Sequence, residues 1–555
     1  MVFLKDKMTN KFSFKDFTKE DSNFLKGIAI IFIVLHNLFL HIIPKIGQNE
    51  FWFSENCYKN FLIIIKSNPL EIINSFFDFF GHYGVQAFIV LSAYGITKSY
   101  ETKKPKYFSF IFQRIQKIYP AFILSAILYI IISIIKNYYL DNETIEDLLI
   151  QLFLVANFIP GKAMVINGPW WFFSFIFQFY FVFPLLYRLL IRFGEKSLII
   201  VGLSGIVLSY FLYKPLINQN INIYHLLIGH IPELCLGMIV AYKKEIKLPV
   251  WIIILFSVLF VFGNVNYYLW PLTNLSASIL FIFSIKYFVI LKNKYYSISK
   301  VITYIGVISL CIFSTHGLIR KGFINLANSI DSPFYSLLIA SIYLLTSIIV
   351  GYLLYKIENY SGEKLFKKKR LYIPSLFLIL LVLIFIMIKN NSVQAYNTSK
   401  FISDTIKYDF KDDNLPEIDA NDSIGYSGNR LLKISESQPF SSSITYDFKQ
   451  DSVKFLNHFT ISSMVYAIND ASDFCYVIEI FHKSSKRAMF YQAESINADK
   501  IKLNNWVEVK YELKLPGAFK SDKFGIKTYI WKNTEGEVYI ANYKLIVNFT
   551  LSKNN

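Results

Sequence analysis

"GIAIIFIVLHNLFLHI" fills residues 27–42. Apart from the polar side chains of His36, Asn37 and His41 it would dissolve in hydrocarbon. A helix needs about 20 apolar residues to cross a bilayer core, and this run approaches that length. Similar blocks follow near 76–97, 117–138, 169–191, 197–213, 223–242, 248–263, 268–291, 301–320, 334–355 and 371–388. Composition agrees: the chain is 54% hydrophobic, with 54 Phe and 38 Tyr, and only 17% charged, against about 25% charged in a soluble domain. The opening stretch therefore reads as the first span of a polytopic α-helical membrane protein. Two further segments, 58–74 and 145–158, are too short and polar-edged for spans. They read as surface or re-entrant helices.

The net charge of +18 is distributed as membrane orientation requires, since cytoplasmic loops collect Lys and Arg. With the N-terminus inside, inward loops carry Lys98, Lys103, Lys104, Lys106, Arg114 and Lys117, then Arg188, Arg192 and Lys196, then Lys243, Lys244 and Lys247, then Lys292, Lys294 and Lys300. The last holds Lys364 and the run Lys367, Lys368, Lys369, Arg370, whereas the outward loop at 139–168 holds Asp141, Glu143, Glu146 and Asp147. This alternation accounts for the excess without a nucleic-acid partner. It predicts a cytoplasmic segment at 1–26, a ten-span body at 27–356, a basic cytoplasmic loop at 357–370 and an eleventh helix at 371–388. The N-terminus has no small-residue cleavage site of a secretory signal.

Past residue 390 the pattern changes to short alternating β-branched and aromatic runs such as "CYVIEIFH" (475–482) and "FGIKTYIW" (524–531). Strands at this spacing predict a β-sandwich over 395–555, placed outside the cell by the odd number of crossings. The four cysteines, Cys57, Cys235, Cys311 and Cys475, show no CxxC spacing, so neither zinc nor a disulfide framework is expected.

Depth gives the first histidine its interest. His36 lies ten residues beyond Lys26, about 15 Å along a helix and so near the bilayer midplane. An ionisable group there is costly and faces a polar cavity by default. His41 lies nearer the outer surface, about 140° further round the helix.

Five motifs in order resemble the bacterial integral-membrane acyltransferases of the acyltransferase-3 family. "FLKGIAIIFIVLHN" (24–37) resembles its first helix, and "GHYGVQAFIVLSAYGI" (81–96) its GV-x-x-F-F-x-L-SG-F helix. "FIFQRIQKIYPAF" (110–122) is similar to R-x-x-R-I-x-P, "WWFFSFIFQFYFVFPLL" (170–186) to W-x-L-x-x-E-x-x-F-Y-x-x-x-P, and "YIGVISLCIFSTHGLI" (304–319) to G-x-x-S-Y-x-I-Y-L-x-H. The resemblance covers residues 24–355. Within it Lys26 stands for the usual Arg, Asn37 occupies the commonest place of the family His, and Gln178 replaces the carboxylate.

The resemblance implies transfer of an acyl group, most simply acetyl, from acyl-CoA to a sugar hydroxyl, with acyl-CoA a co-substrate and no cofactor bound. His36 becomes the catalytic base, because an imidazole can take the hydroxyl proton and return it to the leaving thiolate. Lys26, Arg114 and Lys117 become the donor site, suited to CoA phosphates. Asn37, His82, Tyr83, Trp171, Gln178 and His316 become acceptor or supporting residues, and no metal is implied. The implied partners are acyl-CoA, a surface or lipid-linked glycan and membrane lipid, in a bacterial cytoplasmic membrane. The β-sandwich is similar to carbohydrate-binding jelly rolls; packing of Trp506 and Trp531 in its own core is the alternative use of those rings. A transporter or receptor using intramembrane histidines, or an inactive acyltransferase-like scaffold, stays open on sequence alone.

Overall fold

A computed structural model describes residues 11–14, 17–44, 46–135, 142–243, 245–247, 249–330 and 332–360. Further on it describes 376, 378–380, 382, 401–407, 432–434, 444–446, 454–468, 474–482, 488–495, 501, 503–520, 524–532 and 538–551. The chain divides into two compact units, one at 1–131 with 144–383 and the other at 132–143 with 384–555.

The first unit is helical. A strand β1 (Lys11–Ser13) precedes α1 (Lys19–Phe39), α2 (Glu55–Ser67), α3 (Ile72–Phe80), α4 (Gly84–Lys103), α5 (Tyr107–Ile135) and α6 (Asn142–Leu152). Then come α7 (Trp171–Phe193), α8 (Glu195–Ile217), α9 (Ile231–Lys243), strand β2 (Glu245–Lys247), α10 (Val250–Gly263) and α11 (Thr273–Lys294). The body ends with α12 (Tyr296–Val307), α13 (Ser309–Asn328) and α14 (Pro333–Tyr360). Helix α1 starts where Thr18 and Asp21 form a capping box, satisfying backbone donors that a helix start leaves open. Its Gly27 faces the Ile302 carbonyl on α12, and Gly306 of α12 faces the Asn23 carbonyl. A methyl group at either site would strike backbone, so this crossing depends on glycine, as close helix packing in membranes often does.

Among the described residues seven helical segments are long and apolar enough to cross a membrane, or eight if α12 and α13, bent by 75°, form one span. The ten expected spans differ from these at 223–242 and 248–263. There α9 has 13 residues and α10 has 14, roughly 20 Å each and short of a 30 Å core. Residues 223–230, expected in a span, form 3₁₀ turns instead. The expected span at 76–97 lies in a longer segment, Pro69–Lys103, interrupted by a 3₁₀ turn at Gly81–Tyr83. Helices α2 and α6 occupy the two segments read as non-spanning, and neither is among the crossing helices. The eleventh helix at 371–388 lies largely outside the described residues.

The second unit holds two antiparallel sheets. Strands β3 (Phe401–Lys407), β4 (Leu432–Ile434), β5 (Ile444–Tyr446), β6 (Lys454–Ala467), β7 (Phe474–His482), β8 (Ala488–Ser495), β9 (Val507–Lys520), β10 (Phe524–Lys532) and β11 (Val538–Leu551) pair as β5-β10-β7-β8 and β3-β11-β6-β9, with β4 also on β11. Ile478, Ile480, Ile526 and Ile530 of one sheet share a buried cluster with Phe459, Ile461, Val465, Leu545 and Val547 of the other. Alternate residues supply that cluster, as sheets packed face to face require.

Candidate active site

Lys26, Ile33 and Asn37 are spaced by seven and then four residues, so they lie along one face of α1. Lys26 and Ile33 line a cavity of about 130 Å³. Its other walls come from α4 (Val85, Phe88, Ser92), α5 (Lys117, Ile118), α7 (Phe172, Phe173, Ile176, Tyr180) and α13 (Ser309, Leu310, Phe313). The cavity is apolar along most of its wall and cationic at Lys26 and Lys117.

Arg114 stands one turn before Lys117 on α5. Its guanidinium lies over the Phe110 ring, 5.1 Å from the centroid, and its buried Nε has no hydrogen-bond partner. Among the described residues no carboxylate forms an ion pair with Lys26, Arg114 or Lys117. Asp21, on the same helix as Lys26, is taken by Lys292 at 2.5 Å. Three cations without acids leave an unfilled place for an anion.

His36 projects about 80° away from the Lys26–Asn37 face, toward the break between α3 and α4. Gly81 makes that approach possible: a Cβ there would meet the Cβ of His36 at 2.7 Å and the Phe32 carbonyl at 2.9 Å. Helix α3 ends at this break, and its last turn offers the carbonyls of Phe77, which also accepts from the Gly81 amide, and Asp78. They lie 3.3 and 3.0 Å from His36 Nδ1. A carbonyl only accepts, so Nδ1 carries the hydrogen and Nε2 presents its lone pair. The ring is only 4% exposed and stands 5.3 Å from that of His82. His82 is buried too, and its Nδ1 lacks a partner.

Asn37, on the cavity-facing line, accepts a 3.0 Å hydrogen bond from Arg320 Nη1. Arg320 is half-buried on α13 and forms no ion pair with any described carboxylate. One turn earlier lies His316, fully buried, with Nδ1 3.1 Å from the Ile312 carbonyl and Nε2 unpartnered. The logic of the tautomer repeats, and His316 also presents a bare Nε2. Its ring lies 5.7 Å from that of Phe313, a wall of the cavity. Asn167 and Trp170 donate to the Ser314 carbonyl at 3.2 and 2.8 Å, fixing this turn of α13.

The expected site residues thus separate into groups. Lys26 and Lys117 meet at one cavity with Arg114 beside it; His36 and His82 meet at the α3–α4 break; Asn37 and His316 meet around Arg320. Tyr83 joins the second group, its ring 4.0 Å from that of His82, and its hydroxyl donates a 3.0 Å hydrogen bond to Asn264 at the end of α10. Trp171 and Gln178 turn toward residues 225–230, where Gln178 Oε1 accepts from the Leu227 amide at 2.9 Å. Arg320 escaped sequence reasoning. Its only signal was the cation pair Arg320–Lys321, beginning four residues beyond His316, and charges near span ends ordinarily read as anchors.

A bundle of apolar helices with unpaired cations at an internal cavity and histidines held deep in its interior defines an integral membrane protein with a buried polar centre. The family model Acyl_transf_3, described as an acyltransferase domain, matches residues 20–356, and the chain belongs to that family. It is a membrane acyltransferase. No curated protein and no solved structure matches the chain.

Proposed function

We propose that the protein takes an acyl group, acetyl in the simplest case, from cytoplasmic acyl-CoA and transfers it to a hydroxyl of an extracytoplasmic or lipid-linked glycan. The observation that carries this reading is the cavity with Lys26 and Lys117 in its wall, Arg114 beside it, and no described carboxylate neutralising them. CoA is a polyphosphate, and Lys and Arg supply point-charge and bidentate partners for it. The same α1 face leads from Lys26 past Ile33 to Asn37, one residue from His36.

In this reading His36 Nε2 takes the proton of the acceptor hydroxyl as its oxygen attacks the thioester carbonyl. The new C–O bond forms, the C–S bond breaks, and the proton passes from His36 to the departing thiolate. Arg320, held by Asn37, balances the negative charge that develops on the carbonyl oxygen. A second reading gives the proton-accepting role to His316, favoured by its unpartnered Nε2 and its contact with cavity-lining Phe313. The membrane is a bacterial cytoplasmic one, with residues 1–26 inside and the β unit outside, where it holds glycan. The test is acetyl-CoA turnover by the purified full chain in lipid, with mass spectrometry of surface glycans from a deletion strain. No turnover and an unchanged glycan acyl content would sink the proposal.

A further inference from the structure

The cavity beside Lys26 has a direction. Helix α4 runs antiparallel to α1: Gly84 lies against the Ala29 carbonyl and the Ile33 side chain, and Gly81 against Phe32 and His36. Lys26 and Ser92 therefore sit toward one end of the cavity, Ile33 and Val85 toward the other. The two residues of each helix are separated by about 10 Å of helix. Facing them, α7 contributes Phe172 and Phe173 and, two turns on, Tyr180, while α13 contributes Ser309 and then Phe313. Gly306 packs against Asn23 and Arg320 bonds to Asn37. The chain between them follows α1 in the same direction and carries Phe313 to the Ile33 end. A volume of about 130 Å³ over that length makes a bore for one extended chain.

The Ile33 end is closed by rings. Phe313 lies 5.2 Å from Phe172 and 6.2 Å from Phe173, and Phe122 of α5 stacks on Phe173 at 4.4 Å. All of these rings are buried. The turn that carries Phe313 is itself fixed, because Trp170 Nε1 donates to the Ser314 carbonyl at 2.8 Å. Rings packed in this way form a stop, since a close-packed interior accepts an added methylene only at a cost. His316 stands on the next turn of α13, its ring 5.7 Å from that of Phe313.

A donor whose phosphates rest at the Lys26 end enters this bore with its thioester leading. The thiol arm of CoA is a slender chain suited to such a passage, and the acyl group meets the Phe172–Phe313 wall first. Each methylene ahead of the carbonyl holds the carbonyl farther from that wall and from His316 past it. We propose that Phe313 and Phe172 are specificity-determining residues that measure the acyl chain, admitting acetyl and propionyl groups and rejecting chains of hexanoyl length. This selection rests on the acyl-CoA reading above, which sets the direction of entry; the closed end of the bore does not.

The test is equilibrium binding of acetyl-, propionyl- and hexanoyl-CoA to the full chain in lipid nanodiscs, by isothermal titration calorimetry. Empty nanodiscs correct for adsorption to lipid. The wild type should bind acetyl-CoA roughly tenfold or more tightly than hexanoyl-CoA, the scale on which an apolar pocket discriminates by methylene groups. In F313A, which opens the wall, the two should come within about threefold, because the added chain then fills the space the ring has left. F172L, a smaller change on the facing helix, should move in the same direction and serves where F313A does not fold. Hexanoyl-CoA bound by the wild type as tightly as acetyl-CoA overturns the inference, and so do well-folded F313A and F172L proteins that keep the wild-type discrimination. In both of those cases acetyl-CoA still binds and the donor reading stands. A wild type that binds none of the three removes the donor reading and the acyl measure with it.

Discussion

His36 shows how backbone geometry prepares a side chain. The ring is oriented by carbonyls in the last turn of α3, and Gly81 provides the space for it. Loss of a general base costs roughly 10²–10⁴ in rate, so His36→Ala should lower acyl transfer by that factor in a protein that still folds. His41→Ala should have little effect. The comparison to run beside it is His316→Ala: a deep loss there with a mild one at His36 would move the base to α13. Arg114→Ala belongs to the same scale. It should raise the acyl-CoA concentration needed for half-maximal rate about tenfold, because one charge-assisted phosphate contact is lost. Expression should hold, since other inward loops keep their positive charge. An unaltered dependence on acyl-CoA would return Arg114 to membrane anchoring. The sequence singled out His36, but it offered no account of what the ring rests on. Its partners are backbone atoms more than forty residues away, at a helix break that no residue type announces.

At the scale of elements, the loop at residues 46–54 is tied down from several sides. Ile46 donates to Asp78, Gln48 to Asn264, and Asn222 to the Phe51 carbonyl. Within it Glu50 is buried, and burial pushes its carboxyl up to about 7. The folded chain therefore keeps a proton that the unfolded chain releases above an ordinary pKa near 4.3. Stability from this group is greatest in acid and declines as pH rises from about 4 to 7. Melting curves at pH 5 and pH 8 should show the wild type losing more stability on alkalinisation than E50Q, by about 1–3 kcal/mol. Equal losses would mean that Glu50 is ionised in the fold. Spans with uniform hydropathy were legible in sequence, as was a helix in each of the segments 58–74 and 145–158. The shortness of α9 and α10 was not, because hydropathy cannot tell a helical residue from a 3₁₀ turn such as Leu227–His230.

For the whole molecule, the sequence carried the essential division: a helical membrane body followed by antiparallel sheets. It did so because lipid demands long apolar runs while a sandwich demands short alternating ones. The cavity was less legible. Lys26 and Lys117 were expected at one donor site, but the walls that complete it come from five helices, and such convergence leaves no periodic trace. The proposed orientation can be checked directly. Reporter fusions after residues 365 and 400 should lie on opposite sides of the membrane; the same side for both would remove the crossing at 371–388 and bring the β unit inside.

The close crossing of α1 and α12 also has a meaning in time. Arg320, which satisfies Asn37, is 283 residues further along the chain, and Lys292, which pairs with Asp21, is 271 residues further. At about 5–20 residues per second of synthesis, the first helix leaves the ribosome tens of seconds before these partners exist. During that interval Asn37 lacks its arginine partner, Asp21 lacks its lysine, and Gly27 has no backbone to meet. The oldest helix of the nascent chain is thus among the last to reach its final neighbours, and its survival until then falls to the insertion machinery and the surrounding lipid.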